Sequence, residues 1–201
     1  MSEQTAWDAV SSIADAALTY WNGFMGLSSA GQPLTAEQIS RLLCIIRAVS
    51  WVESNHGTGP GSAAIDPMQC ANPGDAWWKE LSDCSHSQDH FVLGPGLSNY
   101  DACKLPAAAV ASGLTDDANV FNLDDITQGH SDPKFKSVMS YYWGIPFVIF
   151  KINKTAGDKT YQCGDLSTDR LVAGAVAYNG GGVADYEIRI RTALLDSGCL
   201  G

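Results

Sequence analysis

The sequence predicts a mainly helical protein that forms a single globular domain. Its 201 residues suit one domain with a sizeable core. Apolar residues make up 45% of the chain and charged residues only 17%, which is not the composition of a disordered chain or a coiled coil. Apolar side chains also recur at helical spacing in most segments. We therefore expect one mainly helical domain over residues 1–201.

The charge balance excludes some partners. There are 12 Lys and Arg residues against 22 Asp and Glu residues, so the net charge is −10. This negative field repels phosphate backbones, and nucleic acid is a poor partner. The longest mostly apolar run, 141–150, is interrupted by Gly144 and Pro146 and falls far short of the ~20 residues that span a bilayer. We expect no insertion into a membrane.

Two helices are predicted in the first quarter of the chain. From Val10 to Trp21 apolar residues recur at the i, i+3, i+4 spacing of an amphipathic helix. The segment 35–38 reads Thr-Ala-Glu-Gln, in which Thr35 and Gln38 can form a reciprocal capping box. A second helix should therefore start at Ala36, and the glycines after position 56 should end it.

The middle of the chain has weaker signals. We expect loops over 57–75, short helices over 75–81 and 106–111, and an irregular inserted lobe over 71–130 that has no sustained period. Trp77 and Trp78 within it are interpreted as core residues, because adjacent helical side chains point about 100° apart and cannot share one site.

Three helices are predicted after the lobe. The first opens at Asp132-Pro133 and is kinked or broken by Pro146. The second is capped by Ser167 or Thr168 and ends at the glycines that follow Tyr178. The last covers 183–196, although alternation of apolar residues over 186–190 also fits a strand.

The six cysteines favour disulfide bonds. They are even in number and include no Cys-x-x-Cys pair, which argues against a zinc site; they are Cys44, Cys70, Cys84, Cys103, Cys163 and Cys199. Disulfides indicate an oxidising compartment, and buried free thiols are the alternative. Residues 1–5 lack the basic start of a secretory signal, so we expect either a removed signal or another export route.

Glu53 is the residue with the clearest chemical signal. At 100° per residue it lies in the middle of the apolar stripe formed by Ile39, Leu42, Ile46 and Val49, at the end of the predicted helix. Burial disfavours the charged carboxylate, so the pKa should rise, as a general acid near neutral pH requires. A Glu that is paired with a neighbour or reaches solvent from the frayed helix end is the alternative.

Three motifs resemble a known family. Residues 53–57 read Glu-Ser-Asn-His-Gly, 66–69 read Asp-Pro-Met-Gln, and 177–181 read Ala-Tyr-Asn-Gly-Gly. In this order they resemble lytic transglycosylases and goose-type lysozymes, whose pattern is a helix ending in Glu-Ser, a Gly-Leu-Met-Gln turn and an Ala-Tyr-Asn-Ala-Gly segment. The resemblance implies a lysozyme-like fold. It also implies that Glu53 is the catalytic acid and base, and that the substrate is bound by Ser54, His56, Met68, Gln69, Tyr178 and Asn179.

The second motif departs from the family pattern. Asp66-Pro67 replaces the glycine before the Met-Gln segment, and a residue before proline is pushed toward extended conformations. Asp66 is therefore a candidate second catalytic carboxylate that activates water, as in an inverting hydrolase, with a turn or capping role as the alternative. Asp75 is another candidate. Without a second carboxylate the sugar's own hydroxyl closes an anhydro ring, the transglycosylase outcome.

These implications give the functional hypothesis. We expect an enzyme that cleaves peptidoglycan strands between N-acetylmuramic acid and N-acetylglucosamine without a metal or other cofactor. The missing signal and the cysteines suggest an antibacterial effector, secreted or delivered to the bacterial periplasm by a route such as type VI secretion, with a cognate immunity protein. Alternatives are a phage endolysin, an inactive wall-binding or inhibitor module, and an enzyme that cleaves chitin or chitosan.

Overall fold

The computed structural model of the protein describes residues 1–25, 32–82, 89–90, 94–98, 104–105, 121–122, 128–157 and 163–199. These ranges are mainly helical, as the sequence predicts. They contain the helices α1 (Glu3–Asp8), α2 (Ser11–Met25), α3 (Ala36–Ser54), α4 (Ala76–Ser82), α5 (Ser137–Ala156), α6 (Thr168–Tyr178) and α7 (Tyr186–Asp196).

Helix α3 begins where the sequence predicts. The Thr35 hydroxyl accepts a hydrogen bond from the Gln38 N–H at 3.3 Å, and the Gln38 side-chain oxygen accepts one from the Thr35 N–H at 2.9 Å. This reciprocal capping box satisfies two backbone donors that the first helical turn leaves open. The predicted apolar stripe is also confirmed, because Leu42, Ile46 and Val49 are buried.

Helix α5 is the centre of the core. Every residue from Met139 to Pro146 is buried, so this part of the helix is surrounded by protein. Of the kink or break predicted at Pro146, the break was wrong, because the helix continues to Ala156. Pro146 has no N–H for the carbonyl of Tyr142 four residues earlier. The Trp21 indole N–H donates to that carbonyl at 2.6 Å and satisfies it.

Helices α5 and α6 pack closely through a glycine. A Cβ atom built on Gly174 would lie 2.3 Å from the Ile152 Cα atom. We expect Gly174→Ala to lower the free energy of unfolding by about 3 kcal/mol, because the helices must separate. Gly23→Ala in α2 is the matched control. Nothing lies within 4 Å of a Cβ atom there, so alanine should stabilise the protein by about 0.5–1 kcal/mol. Urea denaturation of both variants measures the difference.

The segment 71–130 is described only in part. Its first helix, α4, belongs to the core: Trp78 is fully buried and its ring lies edge-on to the Trp143 ring at 5.9 Å. Two antiparallel pairs of short strands follow, β1 (Asp89–His90) with β2 (Gly94–Ser98) and β3 (Lys104–Leu105) with β4 (Phe121–Asn122). The predicted helix over 106–111 lies outside the described residues.

Helix α7 runs antiparallel to α3 and is joined to it at both ends. Tyr186, its first residue, contacts Glu53, the penultimate residue of α3. Cys199, three residues after its end, forms a disulfide bond with Cys44 in the middle of α3. The segment 186–190 is helical, as predicted, and not the alternative strand. One predicted disulfide is confirmed. Cys70 and Cys163 are buried free thiols, whereas Cys84 and Cys103 lie outside the described residues.

Among the helices of the described ranges, none combines the length and the apolar character that crossing a lipid bilayer requires.

Candidate active site

The chain reverses direction directly after Glu53. Helix α3 ends at Ser54, and the next three residues have positive φ angles: Asn55 at 53°, His56 at 56° and Gly57 at 80°. A non-glycine residue in this region is uncommon, and two in succession before a glycine make a tight left-handed turn. The Asn55 N–H donates to the Trp51 carbonyl at 2.8 Å, which closes the helix end.

Glu53 lies at this helix end and is partly exposed. Its Oε1 atom accepts a hydrogen bond from the Tyr186 hydroxyl at 2.6 Å. Burial raises the pKa of the Glu53 carboxyl above its ordinary value, the hydrogen bond from Tyr186 acts in the opposite direction, and the negative charge of Asp66 adds to the rise. Glu53 thus combines access from solvent with a raised pKa, the two properties that a proton donor needs.

Tyr186 is a site residue that the sequence reasoning missed. Its side chain is buried, and burial beside the Glu53 carboxyl raises the pKa of its phenol, so it donates a hydrogen bond and keeps its own proton. The only sequence signal for Tyr186 was its place in an apolar pattern. Its contact with Glu53 depends on how α7 packs against α3.

Removing the Tyr186 hydroxyl should raise the pKa of Glu53 further. The hydrogen bond favours the ionised carboxylate, so Tyr186→Phe leaves burial as the dominant influence. A nuclear magnetic resonance titration of the Glu53 carboxyl carbon measures the change without any substrate. Tyr20→Phe is the control, because Tyr20 lies in α2 with its ring 5.3 Å from the Tyr142 ring, and the titration of Glu53 in this variant should match wild type. An unchanged or lowered pKa in Tyr186→Phe would contradict the geometry.

Asp66 is fully buried and held by hydrogen bonds. Its Oδ1 atom accepts from the Cys70 N–H at 3.2 Å and from the Ser140 hydroxyl, and its Oδ2 atom accepts from the Ala71 N–H at 2.8 Å. The His130 ring contacts Oδ2 at 3.4 Å, and this contact raises the pKa of His130. A carboxylate with 0% exposure and this many partners does not fit the expected activation of a solvent water.

The other candidate carboxylate, Asp75, is not among the groups that shift the pKa of Glu53. Asp75 is exposed just before α4, and its charge raises the pKa of His130. Within the described part of the chain, Asp66 is the one carboxylate whose charge contributes to the raised pKa of Glu53.

Residues 66–69 form a turn that is fixed on both sides. The Met68 N–H donates to the Ser140 hydroxyl of α5, and the Met68 carbonyl accepts from the Tyr178 hydroxyl of α6, both at 2.8 Å. The Met68 side chain is fully buried against Gly144. Gln69 has a φ of 49°, is partly exposed, and donates its side-chain amide to the Asp66 carbonyl at 2.6 Å.

The Ser54 hydroxyl connects the helix end to this turn. It donates to the Pro67 carbonyl at 2.7 Å and accepts from the Gly57 N–H at 2.8 Å. Ser54 is only 4% exposed, so its hydroxyl already has protein partners on both sides. This placement gives Ser54 a structural contact and does not fit the expected direct contact with substrate.

His56 points toward α1. Its ring lies 5.1 Å from the Trp7 ring and 5.3 Å from the Trp51 ring, and Nε2 is 3.0 Å from a Glu3 carboxylate oxygen. Burial lowers the pKa of His56, and the contact with Glu3 opposes that shift. With 3% exposure, the ring does not fit the expected contact with substrate either.

Tyr178 and Asn179 end α6 and fix the chain between α6 and α7. The Tyr178 ring is buried and its hydroxyl donates a hydrogen bond to the Met68 carbonyl, whereas Asn179 is partly exposed. The Asn179 side-chain oxygen accepts from the Val183 N–H at 3.0 Å. This contact shapes the turn that leads to Tyr186.

The three motifs therefore meet around one turn. Ser54 reaches Pro67, Tyr178 reaches Met68, and Asp66 influences Glu53 electrostatically. In the described ranges, no group of three or more His, Cys, Asp and Glu side chains is placed to hold a metal ion. No family model, no curated protein and no solved structure matches the chain.

Proposed function

We propose that the protein cleaves the β-1,4 glycosidic bond between N-acetylmuramic acid and N-acetylglucosamine in peptidoglycan, with Glu53 as general acid and then general base. The supporting observation is the state of the Glu53 carboxyl. Glu53 is partly exposed, burial raises the pKa of its carboxyl, and the Tyr186 hydroxyl donates a hydrogen bond to it. The peptidoglycan substrate and the lysozyme-like fold come from the resemblance of the three motifs.

In the proposed reaction, protonated Glu53 donates its proton to the glycosidic oxygen as the bond to the sugar breaks. The transition state resembles an oxocarbenium ion, which has a positive charge on the sugar. Glu53 is then a carboxylate beside that charge and can accept a proton from the incoming hydroxyl. The Tyr186 hydroxyl stabilises this carboxylate and fixes the position of Oε1.

Two partly exposed side chains are the candidates for substrate contact. Gln69 is the last residue of the second motif, Asn179 is the middle residue of the third, and both are partly exposed. Amides bind sugar hydroxyls well because each contains both donors and an acceptor. The other predicted substrate-binding residues are buried and would instead hold the turn and the helix end in place; they are Ser54, His56, Met68 and Tyr178.

The geometry favours the transglycosylase outcome over an inverting hydrolase. An inverting enzyme needs a second carboxylate that contacts a water molecule. Asp66 is fully buried and has protein donors on both oxygens. In the described ranges Glu53 would therefore act alone, and deprotonation of the sugar's own hydroxyl would form an anhydro ring.

Digestion of purified peptidoglycan, followed by mass spectrometry of the soluble products, tests this proposal. Anhydro products, lighter by one water than reducing-end products, are expected. Reducing-end products would support the proposed glycosidase activity but show that the enzyme hydrolyses the bond and does not form an anhydro ring. Binding of the wall without turnover would favour the inactive binding module, and cleavage of chitin oligosaccharides but not peptidoglycan would favour the chitinase alternative.

The exported antibacterial role is part of the same proposal. A net charge of −10 gives no electrostatic attraction to an anionic cell envelope, so delivery to the wall would depend on an export route, for which type VI secretion is the candidate. The Cys44–Cys199 disulfide is compatible with an oxidising destination. An immunity protein that covers Glu53 would be the expected partner in the producing cell, and expression of the protein in the periplasm without it should cause lysis.

A further inference from the structure

The Cys44–Cys199 disulfide is accessible to reagents from solvent. Both cysteines are only partly buried, and both line a surface pocket of about 440 Å³. Cys70 and Cys163, the other described cysteines, are buried, and burial raises the pKa of both thiols, that of Cys163 to about 12. They form little thiolate and do not compete for exchange with this bond.

The disulfide is rigidly connected to the end of α7. The Cys199 N–H donates to the Leu194 carbonyl at 2.9 Å, and the Gly198 N–H donates to the Leu195 carbonyl at 3.0 Å. Gly198 has a φ of 71°, the left-handed conformation that commonly ends a helix. A displacement of Cys199 is therefore transmitted to α7.

Helix α7 packs on α3 and α6 through one apolar face. It buries only Tyr186, Ile190, Ala193 and Leu194 of its eleven residues. Its arginines form no ion pair with α3 among the described residues: Arg191 pairs with Glu187 of the same helix, and Arg189 pairs with Asp185, the residue before the helix. In the described part of the chain, its connections to α3 besides apolar contacts are the disulfide and the Tyr186–Glu53 hydrogen bond.

We propose that Cys44–Cys199 is a thiol–disulfide exchange site for dithiol reductants, and that its oxidised form holds α7 where Tyr186 reaches Glu53. In the reduction, a thiolate of the dithiol attacks one cysteine sulfur, and the other cysteine leaves as a thiolate and takes up a proton. The second thiol of the reagent then releases the first cysteine. The reagent loses two electrons, which the two cysteine sulfurs gain.

The functional consequence rests on the proposed function. Reduced protein loses the covalent tie that keeps the Tyr186 hydroxyl on the Glu53 carboxylate. A glycosidase of this design is therefore fully active only in an oxidising compartment and weakened in a reducing cytosol, where it is made. The structural part of the proposal concerns α7 alone and needs no substrate.

Hydrogen exchange with mass spectrometry tests the structural part, with dithiothreitol as the probe. After reduction and capping with iodoacetamide, we expect amides of α7 to exchange about 30-fold faster. This factor corresponds to the smallest loss of stability that is typical when a native disulfide is removed. Amides of α5 should keep their rates. The pKa of Glu53, followed by carbon resonance, should rise to the value of Tyr186→Phe.

The Cys44→Ser/Cys199→Ser variant is the matched control. Its α7 amides should exchange as fast as those of reduced wild type, and dithiothreitol should cause no further change, which excludes effects of the remaining cysteines. Unchanged α7 exchange after reduction would overturn the proposal, as would equal acceleration in α5 and α7. A wild type that digests no peptidoglycan would refute the proposed function instead, because the exchange and titration results stand without it.

Discussion

Glu53→Gln should abolish peptidoglycan cleavage and leave the fold intact. A general acid contributes about 10²–10⁴ to the rate, and Gln keeps the size of the side chain but cannot donate the proton. The rate of muropeptide release should therefore fall by about a thousandfold. The Gln side-chain oxygen can still accept the hydrogen bond from Tyr186, so α7 should stay in place.

The pH dependence of the stability of this variant checks, without any substrate, that the pKa of Glu53 is raised. Because the pKa of Glu53 is raised in the folded protein, its contribution to stability is present at acidic pH and lost as the pH rises through that pKa. Gln does not ionise. The melting temperature of Glu53→Gln relative to wild type should therefore increase as the pH rises from about 4.5, the ordinary pKa of a Glu carboxyl, through the raised pKa of Glu53. Equal product release by the two proteins would rule out the Glu53 mechanism.

Asp66→Asn should unfold the protein more readily. The Asp66 carboxylate accepts hydrogen bonds from two backbone N–H groups and the Ser140 hydroxyl, all in a fully buried position. An amide replaces one acceptor oxygen with a donor, which leaves buried donors facing each other. We expect a loss of about 3 kcal/mol in the free energy of unfolding, measured by urea denaturation.

Asp75→Asn is the matched control for Asp66→Asn. Asp75 is exposed, so the same chemical change there should alter stability by less than about 0.5 kcal/mol. The pair also tests the role of Asp66 in the reaction. If Asp66→Asn keeps wild-type stability but loses reducing-end products, Asp66 activates water and the hydrolase interpretation is correct.

The interior of the fold could be predicted from local patterns. The capping box at Thr35 and Gln38 and the stripe of Leu42, Ile46 and Val49 determine where α3 starts and which face it buries. These features depend on residues within a few positions of one another, and their physics is the same in any helical protein. Glu53 stood out for this reason, as the one carboxylate on that stripe.

Features that depend on distant residues could not be predicted in this way. Pro146 indicated a kink or a break, because its missing N–H leaves the Tyr142 carbonyl without a helical partner. The Trp21 indole satisfies that carbonyl across 121 residues of chain, and the helix is not broken. The helix predicted over 183–196 left a strand over 186–190 as an alternative, and nothing in this local pattern indicated that packing against α3 places Tyr186 beside Glu53.

The sequence by itself determined the helical class, the start and buried face of α3, and Glu53 as the candidate acid, because helical periodicity and capping are local. Only the tertiary structure decided the roles of the other candidates. Asp66 became a buried acceptor, His56 turned toward Glu3, and Tyr186 became the partner of Glu53. Exposure and hydrogen-bond partners arise when distant segments pack together, and these two properties separate a reactive carboxylate from a structural one.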